Sequence, residues 1–249
     1  MNASPASPHE VSQEQETLQV NDAAYATEHY DDDYYDWILK NKNFRSHHLR
    51  MNWIKQLVDP RPGDRIVDLG CGPGVVAEFL AKHGAAVHGV DLHPKAVATA
   101  RKLNNGNPGC SFQVGDASNV PNLADQSFDK AVSCDVTEHC GYDVMLGIFR
   151  EAHRLLKPGG TYFIYTPNPK HWIEKLKEWG IMKGDPTHTG LRTGKVIVEA
   201  LRKCGFEIAQ HPTSSSMFAG INALEWLWRR QPVLPELANY RVIVLARKA

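Results

Sequence analysis

From Arg65 onward the chain alternates between two hydrophobic periods. Short apolar runs read as strands: Ile66 to Leu69, Ala86 to Asp91, a run ending at Val114, Phe128 to Cys134, Thr161 to Tyr165, Phe206 to Ala209, and Tyr240 to Ala246. Between them the apolar positions fall at helical spacing. Val75 to His83 is one such segment. Pro94 to Leu103 follows, with Ala96, Val97, Ala100 and Leu103 on one side, then Asp143 to Leu156, with Met145, Phe149, Ala152 and Leu156. Thr193 to Cys204 is the last long one, closed by Gly205. Strands that alternate with helices predict a parallel sheet with right-handed crossovers and helices on both faces. Before the last strand only Asn222 to Arg230 has room for a helix, so strand seven can enter antiparallel.

The flanks read differently. Residues 1–20 are rich in Ser, Pro, Glu and Gln and are expected to be a disordered acidic tail. Residues 21–58 are aromatic and helical and are expected to form a cap. Within them Trp53 and Leu57 read as packing residues, and Tyr30, Tyr34 and Trp37 as either packing or a ligand lid. Asp59-Pro60-Arg61-Pro62-Gly63-Asp64 then breaks the helix. Residues 59–249 are expected to form the main domain, with insertions on the ligand side at 168–192 and 213–239. The first insertion holds a short helix, His171 to Trp179; the second holds Phe218, Trp226 and Trp228.

The chemistry concentrates at the first strand. Asp68-Leu69-Gly70-Cys71-Gly72-Pro73-Gly74 is a strand that drops into a glycine turn before a helix, the opening unit of a nucleotide-binding α/β domain. A dinucleotide fingerprint would need a third glycine at Val75. Asp68 would also repel a pyrophosphate, whereas S-adenosylmethionine, which carries an ammonium and a sulfonium, suits it. Asp91 ends the second strand about twenty residues past the first glycine, where such sheets present an acid to ribose hydroxyls.

VDLGCGPG, GVDLHP, VGDAS, FDKAVSCDVTEH and LLKPGGTYFIYTPNP stand in the order and spacing of the class I S-adenosylmethionine-dependent methyltransferases, and the chain resembles that family over roughly residues 45–167. The resemblance implies a doubly wound α/β sheet of seven strands in the order 3-2-1-4-5-7-6, mostly parallel with the last strand antiparallel, and S-adenosylmethionine as cofactor. It further implies that Gly70, Cys71, Gly72 and Gly74 admit the methionine part, Asp68 orients its ammonium, Asp91 takes the ribose hydroxyls and Leu92 packs on the adenine. Asp116 and Ala117 would bind the adenine edge, with a helix N-cap as the rival role for Asp116. Cys71 and Cys134 flank the site as packing residues rather than nucleophiles. Glu138-His139 resembles the Glu-His pair of small-molecule enzymes related to the ubiquinone-pathway O-methyltransferases.

A neutral hydroxyl acceptor needs a base. His139 is the first candidate, His188 the second, with Glu138 and His171 also in range. The histidines occur as neighbours (His47-His48, His139-Cys140) and not at metal-ligand spacings, so no metal is expected. The aromatic residues of the insertions suggest an aromatic or lipophilic small-molecule acceptor, and Trp226 to Arg230 suggest contact with a membrane surface. The chain has 28 basic and 28 acidic residues, which argues against nucleic acid as partner, although the nine acids of residues 1–39 leave the remainder with 28 basic against 19 acidic residues. Five cysteines without a C-x-x-C pair, no apolar run of membrane-span length and no signal-like N-terminus point to a cytoplasmic enzyme. Two other functions fit less well: an NAD-dependent oxidoreductase or epimerase on a similar sheet, and a non-catalytic S-adenosylmethionine-binding protein.

Overall fold

The computed structural model describes residues 39–40, 45–215, 220–228, 230 and 236–249. The acidic tail, the Tyr30, Tyr34 and Trp37 cluster, Phe218 and Arg229 lie outside the described residues. Helix α1 (Arg45–Trp53) runs into a π-helical turn, Ile54–Val58. Then follow β1 (Arg65–Leu69), α2 (Val75–Lys82), β2 (Ala86–Asp91), α3 (Pro94–Leu103), β3 (Cys110–Val114) and β4 (Phe128–Cys134). The second half holds a 3-10 turn (Thr137–His139), α4 (Tyr142–Leu155), β5 (Leu156–Pro167), α5 (Trp172–Glu178), α6 (Gly194–Lys203), β6 (Phe206–Gln210), α7 (Asn222–Trp228) and β7 (Arg241–Lys248).

The seven strands form one sheet in the order β3-β2-β1-β4-β5-β7-β6. Pairings from β3 across to β5 are parallel, and β7 runs antiparallel to both β5 and β6. This is the order that the resemblance implied. Strand parity sorts the side chains onto two faces. Val67, Leu69, Val242 and Val244 pack with Met145, Phe149, Ile197 and Leu201 of α4 and α6. Ile66, Ile243 and Leu245 pack on the other face with Leu80, Val97 and the Ile54–Val58 turn. Asp68 shares the parity of Ile66 and so points to the α1 side of the sheet.

One boundary differs from the periodic reading. Helix α4 ends at Leu155, and Leu156 already pairs with Phe128, so the Pro158-Gly159-Gly160 segment is built into β5 rather than preceding it. A Cβ on Gly160 would stand 2.9 Å from the Lys157 carbonyl and 3.0 Å from that of Asp129, so only glycine lets the strand start this early. In such a sheet ligands bind beyond the carboxyl ends of the strands, at the reversal between β1 and β4. Residues 70–74, 91–93, 115–118 and 134–139 all leave the strands at that rim.

Candidate functional site

The glycine turn after β1 is fixed from below. The N–H groups of Gly70 and Cys71 both donate to the Val90 carbonyl, at 2.8 and 3.0 Å. Gly70, Gly72 and Gly74 all have left-handed φ, +82°, +50° and +78°. At Gly72 a Cβ would meet nothing within 4 Å, so the turn presents bare backbone to open space. Asp91 fastens this turn to β2: its Oδ2 accepts from Gly72 N at 2.8 Å and its Oδ1 from His93 N at 2.9 Å. Burial raises the Asp91 pKa above the ordinary range, although these two N–H groups and His93 oppose the rise. Each oxygen keeps lone-pair capacity for a further donor. Leu92, next in the chain, is an apolar side chain 48 % exposed.

Asp68 is 1 % exposed, and its Oδ2 is buried without a hydrogen-bond partner. Burial and then the neighbouring Asp91 push its pKa up to about 7, with Arg50 pulling the other way. An orphaned buried carboxylate marks a place where a cationic donor is missing. Asp116 spends its Oδ1 on a local turn, accepting from Ser118 N and Oγ at 2.8 and 2.7 Å, rather than on a helix N-cap, since no helix follows before β4. Ala117 packs against the core. Cys71 and Cys134 are buried, and burial drives both thiols well above their ordinary range, so neither is a thiolate nucleophile.

Beyond β4 the structure gathers Glu138, His139 and His188. Glu138 is buried; its Oε2 accepts from Thr166 Oγ1 at 2.8 Å, and its Oε1 has no partner. Burial, then Asp135, pushes Glu138 up to about 8. His139 Nδ1 lies 3.2 Å from the Thr187 carbonyl, which requires the proton on Nδ1 and leaves the lone pair on Nε2. Burial, and then His188, lowers His139 to about 4. The two imidazoles are 4.9 Å apart, edge to face. His188 arrives on a loop that Arg192 staples down, with bonds to the Thr137 and Gly190 carbonyls at 2.7 and 2.6 Å and to Cys140 O at 2.8 Å. One ligand atom from each of Glu138, His139 and His188 lies within 4.8 Å of the others, a set that could hold a divalent cation. His188 joins this set from a distant loop, so no local spacing of histidines reveals it.

His171 is not part of this cluster's chemistry. It is fully buried, and both ring nitrogens are committed: Nδ1 accepts from Ile173 N at 3.3 Å and Nε2 faces Glu225 Oε1 at 3.3 Å. Trp172 Nε1 donates to the same carboxylate oxygen at 2.9 Å, so His171 and Trp172 pin α5 to α7. Trp226, by contrast, is 51 % exposed, with the Arg230 guanidinium 3.2 Å from its ring centroid.

The sequence reading missed a charged cluster at the same rim. Asp135, at φ +54°, is bonded by Arg50 of α1 and by Arg241 of β7, the latter at 3.2 Å. Arg50 and Arg241 stand 85 and 106 residues from Asp135, so no local pattern links them.

A glycine cradle, an orphaned acid beneath it and an acid at the end of β2 on a 3-2-1-4-5-7-6 sheet define a nucleoside-binding α/β protein of the methyltransferase type. Comparison with known proteins agrees. The family described as "Methyltransferase domain" matches residues 67–164. A ubiquinone biosynthesis O-methyltransferase of Pseudomonas aeruginosa is 31 % identical over 145 residues, covering 55 % of this chain and 61 % of that protein. A 24-methylenesterol C-methyltransferase 2 of Oryza sativa subsp. japonica is 32 % identical over 168 residues, covering 62 % of this chain and 44 % of that protein. Among solved structures, an S-adenosylmethionine-dependent methyltransferase from Mesorhizobium loti superposes with a TM-score of 0.61 at 25 % identity, covering 83 % of this chain and 99 % of that one. The chain thus spans about three fifths of the length of the Pseudomonas relative and less than half of the Oryza one. A methyltransferase domain therefore spans residues 67–164, the chain is similar to S-adenosylmethionine-dependent methyltransferases, and that likeness implies S-adenosylmethionine as cofactor.

Proposed function

We propose that this protein transfers a methyl group from S-adenosylmethionine to an oxygen atom of a small-molecule acceptor, with His139 taking the acceptor's proton. The observation that carries this reading is Asp68, a buried carboxylate with an unpartnered Oδ2 below bare glycine backbone. It fits an α-ammonium and opposes a pyrophosphate, which sets NAD aside. Arg50, close enough to lower the Asp68 pKa, is placed for the carboxylate at the same end of the ligand. Asp91 receives the ribose hydroxyls while holding Gly72, and the exposed Leu92 covers one face of the adenine. Asp116 and Ala117 stand at the adenine edge.

When bound, the cofactor supplies an electron-poor methyl group on a sulfonium. The protein's part is to align the acceptor, to keep water out and to take one proton; alignment alone is worth about 7–11 kcal/mol in well-oriented reactions. His139, lowered to about 4, is neutral at pH 7 and needs no prior deprotonation. It is a weak base, but a hydroxyl gaining a methyl group becomes strongly acidic as the bond forms, so a weak base suffices. Glu138, protonated at pH 7 with its pKa at about 8, can donate a hydrogen bond to the acceptor, and His188 backs His139.

Likeness to proteins named O-methyltransferases supports an oxygen acceptor, and likeness to proteins named C-methyltransferases makes carbon the second reading. The aromatic residues of the insertions favour an aromatic or lipophilic acceptor. A cytoplasmic setting is supported by five free cysteines; among the described residues no helix is long and apolar enough to cross a membrane. Calorimetric titration with S-adenosylhomocysteine and with NAD, followed by mass spectrometry on a panel of phenols, catechols, sterols and amines, tests the proposal. Binding of S-adenosylhomocysteine alone, with a product heavier by one methyl group, is the expected result. NAD binding would restore the oxidoreductase reading. Tight binding without turnover on any acceptor would leave a non-catalytic binding protein.

A further inference from the structure

Arg241 opens β7 opposite Pro167, at the carboxyl end of β5, on the same face of the sheet as Tyr165. Its guanidinium lies 5.2 Å from the Tyr165 ring centroid and 4.8 Å from that of Tyr240, which fixes its plane. Nη1 reaches Asp135 Oδ1 at 3.2 Å, and Arg50 takes the other oxygen of the same carboxylate. The cluster therefore holds two guanidinium groups against one carboxylate, and Asp135 stays ionised because the two arginines outweigh its burial. The side chains are only 16 % (Arg241), 19 % (Arg50) and 29 % (Asp135) exposed, and the Nε of each arginine is buried without a hydrogen-bond partner. The cofactor's carboxylate would complete Arg50, which leaves Arg241 with a buried Nε donor that no group among the described residues satisfies, and such a donor is costly to leave unpaired.

The two arginines face different neighbours. Arg50 acts on Asp68 and Cys134, the cofactor end; Arg241 acts on Glu138, the acceptor end. We propose that the acceptor carries an oxyanion, such as a carboxylate, which seats on Arg241 and holds the reacting oxygen beside Glu138 and His139. This rests on the methyl-transfer reading and adds the acceptor's charge to it. An aromatic acid fits better than an uncharged aromatic or a lipid without an acidic group, since the Tyr165 and Tyr240 rings border the guanidinium.

The test uses the full chain saturated with S-adenosylhomocysteine, so the cofactor's own carboxylate is already placed. Binding of 3-hydroxybenzoate and of 3-hydroxybenzamide, alike except for the charge, is followed by NMR titration. The wild-type protein is expected to prefer the acid by about tenfold or more, the scale of a charge-assisted bidentate contact. Arg241→Gln removes the preference, Arg241→Lys keeps part of it, and both bind S-adenosylhomocysteine like the wild type. Equal binding of acid and amide by the wild-type protein overturns the proposal whether or not the variants fold. So does a preference that survives in a folded Arg241→Gln protein. Failure of S-adenosylhomocysteine to bind would sink the methyl-transfer reading instead; repeating the comparison without it still decides whether Arg241 seats an anion.

Discussion

Replacing Asp68 by Asn separates what the site needs from what the fold prefers. The carboxylate is 1 % exposed, and its pKa stands at about 7 against an ordinary 3.8. The folded state therefore holds this proton more tightly than the unfolded chain does. In the cofactor-free protein, stability falls as pH rises from about 4 to about 7 and then levels off. A shift of about three units corresponds to at most about 4 kcal/mol, reached above pH 7. Asn has a similar shape and no charge, so it lifts that cost. The Asp68→Asn protein should melt several degrees higher than the wild type at pH 8, with the gap narrowing toward pH 5. Ligand binding should move the opposite way. A bound ammonium requires the ionised acid, so wild-type affinity for S-adenosylhomocysteine should drop about tenfold per unit below pH 7, while the variant binds weakly with little dependence on pH. Thermal unfolding and calorimetry at pH 5.5, 7 and 8 read both limbs. A variant less stable than the wild type at pH 8 without ligand, or one that binds as tightly, would refute the account of Asp68.

Other expectations follow from the same geometry. His139→Gln keeps the side chain polar but removes the base; kcat should fall about a hundredfold or more, with affinity for S-adenosylhomocysteine unchanged. Because burial holds His139 near 4, the acid limb of the wild-type kcat, measured at saturating S-adenosylmethionine so that Asp68 is already ionised, should lie near or below pH 5 rather than near 6.5; a limb at 6.5 would point to His188 or another group. Gly74→Ala forces a side chain onto φ +78° and places its Cβ 2.8 Å from Ala100 Cβ and 2.9 Å from Asn104 Nδ2. It should cost about 1–3 kcal/mol, read by urea unfolding.

Much of this architecture is legible in the sequence because its causes are local. Three glycines at alternate positions after an apolar run need left-handed backbone, and the turn they make is the one observed. Strand parity in Arg65–Leu69 and Arg241–Lys248 fixes which side chains reach which face. The site was legible only in part. Asp91 stands where an acid after the second strand must stand, yet its grip on Gly72 needed the fold to show it. The Arg50–Asp135–Arg241 cluster joins a helix, a strand end and the last strand, so its pairing depends on topology alone. His188 meets His139 only because Arg192 ties the intervening loop to the carbonyls of residues 137 and 140. His171 shows the converse: a residue type suited to catalysis, placed in a plausible segment, is spent on holding α5 to α7.

The most direct measurement is a calorimetric titration of wild-type and Asp91→Ala proteins with S-adenosylhomocysteine. Two charge-assisted bonds to the ribose and the anchor of Gly72 depend on that carboxylate, so the wild type should bind one equivalent and the variant at least about a hundredfold more weakly. Failure of the wild type to bind, or equal binding by the folded variant, would contradict the placement of the cofactor at the ends of β1 and β2.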